Sequence, residues 1–215
     1  MKKHGVLILL LGFLLLFPSC KDTKKEYYPD GTLKSVVHVR GGKYYGKAVF
    51  YSPNGDIQLE CFYKEGILQG PLIRYYPLKK KKELQNYDKG NLDGLSTTWF
   101  LDGGKSSETT YMNGILNGPY REYHPNNRIK VQGQYLNGFF AGKWFYFNFN
   151  GDIVGEGQFT HGTGNQRSFF PDGKVSHDVP YKNNLKDGEE IEYDPSGKVS
   201  SVKIFRNDSL IRVIR

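Results

Sequence analysis

The sequence predicts an all-β fold, an elongated single-layer antiparallel sheet of about eight stacked β-hairpins built on a 24-residue unit. Three observations carry that reading. A glycine recurs at Gly46, Gly70, Gly94, Gly118, Gly142, Gly164 and Gly188, in steps of 24 residues with a single step of 22. Turn phrases run in phase with it: "YPDG" at Gly31, "SPNG" at Gly55, "LDGG" at Gly103, "HPNN" at Asn127, "NFNG" at Gly151, "FPDG" at Gly173 and "DPSG" at Gly197. Two aromatic columns keep the same register, and a fixed period of this length marks a repeat architecture.

The first column lies four residues before each turn glycine: Tyr27, Tyr51, Tyr75, Trp99, Tyr123, Phe147, Phe169 and Tyr193. A loop glycine also precedes the first glycine series, at Gly42, Gly66, Gly90, Gly114, Gly138 and Gly162. Three residues before that position lies the second column: Val39, Tyr63, Tyr87, Tyr111, Tyr135, Phe159, Tyr181 and Phe205, seven of the eight aromatic. Each unit thus holds two turns and two extended stretches. Pro sets φ for the start of a turn, and Gly or Asn accepts the positive φ at its end. Alternation within the strands has a period of two: Val49 and Tyr51 share a face, as do Ile57, Leu59, Cys61 and Tyr63. No stretch of the repeat region has helical periodicity. Phrases such as "GILQG" and "GILNG" read as turns between hairpins, with Leu68 or Leu116 folded back over the aromatic face. Pro71 and Pro119 begin the strands that follow, where a missing N–H is tolerated.

The chain opens differently. Lys2 and Lys3 precede an apolar run from Val6 to Phe17, then Ser19 and Cys20. A charged start, an apolar middle too short for a bilayer and a small residue before the cut have the layout of a secretory signal. Cys20, directly after a small residue, resembles the lipobox of bacterial lipoproteins. That resemblance implies cleavage after residue 19 and diacylglycerol on the Cys20 sulfur. Residues 1–19 are thus read as signal peptide, 20–26 as lipidated N-terminus and short linker, and 27–215 as the repeat domain. Cleavage would lower the formal charge from +8 to about +6, a moderate, dispersed balance that names no partner. Cys61, the only other cysteine, has no mate once Cys20 is acylated, so no disulfide framework is expected.

The phrase aromatic–x–x–Gly–x–Leu–x–Gly, followed by an aromatic strand and a Pro/Asn-Gly turn, resembles the MORN-repeat variant of many bacterial proteins. "FYKEGILQGPLIRYYP" and "TYMNGILNGPYREYHPNN" are the copies that carry it best. The resemblance runs from Tyr27 to about Leu210, and the third and eighth units diverge most: Lys79 to Lys82 replace the third turn, and Asp208 stands where a loop glycine is expected. It implies hairpins stacked into one long sheet. Many bacterial sequences of this variant also carry an antitoxin label.

Reactive constellations are missing from the sequence. Gly104-Lys105-Ser106 resembles the end of a phosphate loop, but Trp99 stands where the first glycine is needed. His38, His124, His161 and His177 fall at different phases of the repeat, without metal-ligand spacing. No catalytic residue, metal or cofactor is therefore expected, and the chain is read as non-enzymatic. The basic run Lys79-Lys80-Lys81-Lys82 is the sharpest local anomaly, a candidate contact for anionic headgroups or an acidic partner. The expectation is a lipid-anchored envelope protein, on the periplasmic or surface side, serving as scaffold or protein-binding surface for a partner of unknown identity. Neutralisation of a toxin and binding of envelope glycan are the alternatives; nucleic acid is not expected.

Overall fold

The computed structural model describes residues 21–214. Cys20 and the signal segment lie outside them. The order begins β1 (Lys21–Tyr27), β2 (Leu33–Arg40), β3 (Lys43–Tyr51), β4 (Ile57–Lys64), β5 (Ile67–Leu68) and β6 (Gly70–Tyr75). It continues through β7 (Lys81–Asp88), β8 (Asn91–Leu92), β9 (Gly94–Trp99), β10 (Lys105–Met112), β11 (Ile115–Tyr123), β12 (Ile129–Leu136) and β13 (Phe139–Phe147). Then come β14 (Ile153–Thr160), β15 (Thr163–Phe169), β16 (Val175–Lys182), β17 (Leu185–Lys186), β18 (Gly188–Tyr193), β19 (Val199–Arg206) and β20 (Ser209–Ile214). Among the described residues the only helical piece is a single 3-10 turn, Pro77–Lys79.

All twenty strands belong to one antiparallel sheet. Among the described residues chain neighbours pair throughout, β1 meets only β2, and β20 meets only β19, so within them the sheet is open at both ends. The two-residue strands β5, β8 and β17 are the first steps of the rungs completed by β6, β9 and β18. Seventeen rungs result among the described residues, one more than eight hairpins supply. The extra rung corrects the domain reading: Lys21–Glu26, assigned above to a linker, pair residue by residue with Ser35–Arg40 as β1.

Local chemistry explains the rungs. Lys64 faces Ile67 across a two-residue loop whose centre, Glu65 and Gly66, has φ of 54° and 85°. This is the turn whose twist matches that of paired strands. The chain is already in β5 at Ile67, so Leu68 is a strand residue opposite Tyr63 rather than a plug folded over the face. The second glycine of the phrase, Gly70 (φ 92°), ends a bulge in which the Gln69 N–H donates to the Phe62 carbonyl at 2.9 Å. The shortened sixth unit omits that bulge: β14 and β15 pair without a register shift.

Each two-residue turn also hangs on its predecessor. The N–H of Gly66 donates to the Tyr44 carbonyl at 2.8 Å, Gly90 to Leu68 at 2.9 Å, Gly114 to Leu92 at 2.7 Å and Gly138 to Leu116 at 2.8 Å. The series runs on through Gly162, Asn184 and Asp208, the last two keeping the positive φ that glycine holds elsewhere. A repeat that contacts mainly its neighbours gains stability in nearest-neighbour increments.

One face carries the packing. Val37 opposes Ala48, and Ala48 opposes Cys61, in a cluster completed by Leu72. Ala48 and Cys61 are 0% and 1% exposed. On the same face the second aromatic column lies one step along, with Tyr63 and Tyr87 packed on this cluster. Further on, Tyr120, Tyr135, Phe140, Trp144, Phe159 and Tyr181 form a continuous group with ring centroids 4.9–6.1 Å apart. Edge-to-face and tilted ring pairs of this kind add to the burial of their area.

Candidate functional site

The two aromatic columns lie on opposite faces. Glu60 and Cys61 are consecutive in β4 and so point to opposite sides of the sheet. Tyr63 sits with Cys61 on the packing face, whereas the Tyr75 hydroxyl donates to Glu60 Oε2 at 3.1 Å on the other. Tyr123 repeats this 48 residues later, donating to Glu108 Oε2 at 2.6 Å. Tyr51, Tyr75, Trp99, Tyr123, Phe147, Phe169 and Tyr193 therefore flank a second, more polar face beside the Pro-Gly turns. Tyr63, Tyr87, Tyr111, Tyr135, Phe159 and Tyr181 belong to the core.

Electrostatics separate the two faces. Burial pushes the Tyr63 hydroxyl up to about 12, with the nearby Cys61 thiol adding to the shift. Burial likewise raises Tyr87, Tyr120, Tyr135 and Tyr181, and it raises the Cys61 thiol, which is inert packing rather than a nucleophile. On the polar face, partial burial opposes the charge of Glu60, but the Lys47 ammonium and the Tyr75 hydroxyl outweigh it and the carboxyl sits below its ordinary range. Lys105 and then Tyr123 lower Glu108 in the same way.

The lysine run occupies the third Pro-Gly turn, where Leu78 and Lys79 adopt φ of 60° and 58° in place of a glycine. All four lysines are exposed, yet three have internal partners. Lys80 Nζ donates to the Leu101 carbonyl at 3.3 Å, Lys81 stands 5.9 Å from the Trp99 ring centroid, and Lys82 stands 5.5 Å from that of Tyr76. The run thus fans out over its neighbours. Cys20, the expected lipidation site, lies outside the described residues.

Along the two-residue-turn edge stand side chains that the sequence reading passed over. Ile67 is 51% exposed, Met112 55%, Ile115 52% and Leu136 45%. They flank the turns at Glu65–Gly66, Asn113–Gly114 and Asn137–Gly138. Their signal was present in Ile67, Met112, Ile115 and Leu136 beside three of the turns, while Asp88 and Asn91 flank the Lys89–Gly90 turn between them; alternation within single strands does not reveal a row that runs across strands.

A second overlooked feature repairs the short sixth unit. The Phe140 N–H donates to Asn184 Oδ1, and Asn184 Nδ2 donates to the Gly138 carbonyl, each at 2.8 Å. The side chain reaches across the shortened Gly162 turn to the unit before it. Beneath it a Cβ on Gly162 would stand 2.4 Å from Asn184 Oδ1.

No curated protein matches this chain. The family model described as MORN repeat variant matches residues 23–40, 44–65, 116–137, 163–183 and 186–207. Its first match begins inside β1, consistent with that strand being part of the repeat array. In five of its segments, then, this all-β repeat chain is similar to the MORN repeat variant.

Proposed function

We propose that this protein is a lipid-anchored, non-enzymatic scaffold of a bacterial cell envelope whose sheet binds a protein partner along the two-residue-turn edge. The observation that carries the reading is the apolar group Ile67, Met112, Ile115 and Leu136, four side chains that stay about half exposed beside the Glu65–Gly66, Asn113–Gly114 and Asn137–Gly138 turns on one edge. Exposed apolar residues gathered along one line mark contact surfaces more often than scattered ones do. The signal layout ending at Cys20 supports the anchor. With Lys21 already in β1, an acylated Cys20 would sit directly on the first edge strand. The array would then stand at the membrane by its first rung and extend roughly 75 Å at the spacing of paired strands.

Photo-crosslinking from position 115 in intact cells tests the contact. The expected result is one reproducible protein adduct that Met112→Lys and Leu136→Lys each abolish. Adducts with lipid alone, or adducts insensitive to both substitutions, would refute it. Metabolic labelling with a palmitate analogue tests the anchor: the native chain should label and Cys20→Ala should not.

A further inference from the structure

Glu156 breaks a pattern that the polar face otherwise keeps. Glu60, Glu108 and Glu156 recur at intervals of 48 residues. Glu60 accepts from Lys47 Nζ at 3.0 Å and from Tyr75. Glu108 is held by Lys105 and Tyr123. Lys143 occupies the same repeat position relative to Glu156 as Lys47 does to Glu60, since Gln158 opposes Lys143 just as Phe62 opposes Lys47. The aromatic that should donate to Glu156 is Phe169, which has no hydroxyl. Among the described residues the Glu156 side chain makes neither a hydrogen bond nor an ion pair.

Its surroundings form a grid fixed by strand pairing. Lys143, Gln158 and Asn165 lie in one row across β13, β14 and β15, and Phe145, Glu156 and Arg167 in the next. These six side chains, with Gly157, line a groove of about 300 Å³. Asp178 on β16 orients one side of it, accepting from Asn165 Nδ2 at 2.9 Å and Arg167 Nε at 3.1 Å. The Asn165 carbonyl and the outer nitrogens of Arg167 are left for a ligand. Phe145 supplies a half-buried ring as floor.

We infer that this groove binds a saccharide, the N-acetylhexosamine unit of a glycan chain. A carboxylate and a guanidinium are planar groups that pair two hydroxyls at once, the carboxamides of Gln158 and Asn165 match an acetamido group, and the apolar side of a sugar ring suits an aromatic floor. Lys143 and Glu156 cancel in charge, as do Arg167 and Asp178, so the site does not select an anion. An extended peptide is disfavoured, because strand addition needs a free sheet edge and β13, β14 and β15 are paired on both sides. The inference rests on the grid alone and is independent of the anchor and of the apolar edge.

The test is an amide chemical-shift titration of the full chain in detergent, with a β-1,4-linked N-acetylglucosamine tetramer as one probe and tetralysine amide as the other. Saturable shifts centred on Lys143, Phe145, Gln158 and Asn165 with the tetramer are expected. Glu156→Gln should weaken binding at least fivefold. Phe169→Tyr should do the same, by giving Glu156 the internal partner that Tyr75 gives Glu60. Glu60→Gln should leave the titration unchanged. No shifts with the tetramer, shifts that survive Glu156→Gln, or shifts with tetralysine alone would each overturn the assignment.

Discussion

The indole of Trp144 lies directly over Gly133 on the neighbouring strand. A Cβ on Gly133 would come within 2.1 Å of the ring, and Trp144 is only 3% exposed. Glycine inside a strand weakens it unless something must approach closely. Here that something is the largest side chain of the core. Gly133→Ala should therefore overpack the site and cost about 2 kcal/mol. Gly55→Ala has open space around it and only the strain of φ +83° to bear, so its cost should be nearer 1 kcal/mol. Urea titrations of the two variants compare them directly; equal midpoints would contradict the packing argument.

Asn184 should matter more than its exposed turn suggests. Asn184→Gly keeps the positive φ but loses both bonds to Gly138 and Phe140, at a cost of about 1–2 kcal/mol. Asn183→Gly, one residue earlier, should be close to neutral. Denaturation midpoints check the pair and should differ.

At high pH the core tyrosines set the limit. The Tyr63 hydroxyl is raised to about 12 in the folded chain, chiefly by burial. Its stabilising contribution is therefore intact below its unfolded pKa near 10 and is lost as pH climbs toward 12. Tyrosinate absorbance should show this group titrating only above the ordinary range, and Tyr63→Phe should move alkaline unfolding to higher pH.

At low pH the polar face responds. Glu108 is held below its ordinary value first by Lys105 and then by Tyr123. The stability this provides is present above the unfolded pKa of about 4.3 and disappears as pH falls through the lower folded value. Glu108→Gln should flatten the acid limb of a stability–pH curve and leave the alkaline limb unchanged.

The repeat was legible because the side chains that define it are conspicuous: glycines that close turns and rings that fill a face. Alternation around Cys61 correctly joined Leu59 and Tyr63 to its side. Relationships that cross strands were harder to read. Leu68 looked like part of a loop, because five residues between glycines conceal a two-residue turn followed by a bulge. Lys21–Glu26 looked like a linker, because an edge strand exposed to solvent can be wholly polar and still pair. The division of the aromatic columns between two faces follows from Tyr51 and Tyr75 standing three residues after Ala48 and Leu72 of the core in the same strands, and the spacing of the rings alone does not encode that. Glu156 was invisible in isolation; its difference emerges only beside Glu60 and Glu108.

Hydrogen exchange, resolved strand by strand, tests most directly whether this is one open sheet in which each hairpin hangs on the last. Protection should be lowest in β1 and β20, rise inward from both ends, and peak across β11 to β16, where the ring cluster lies. Strong protection of β1 and β20 equal to that of the centre would contradict the free edges. A sharp break in protection midway would contradict the continuous array.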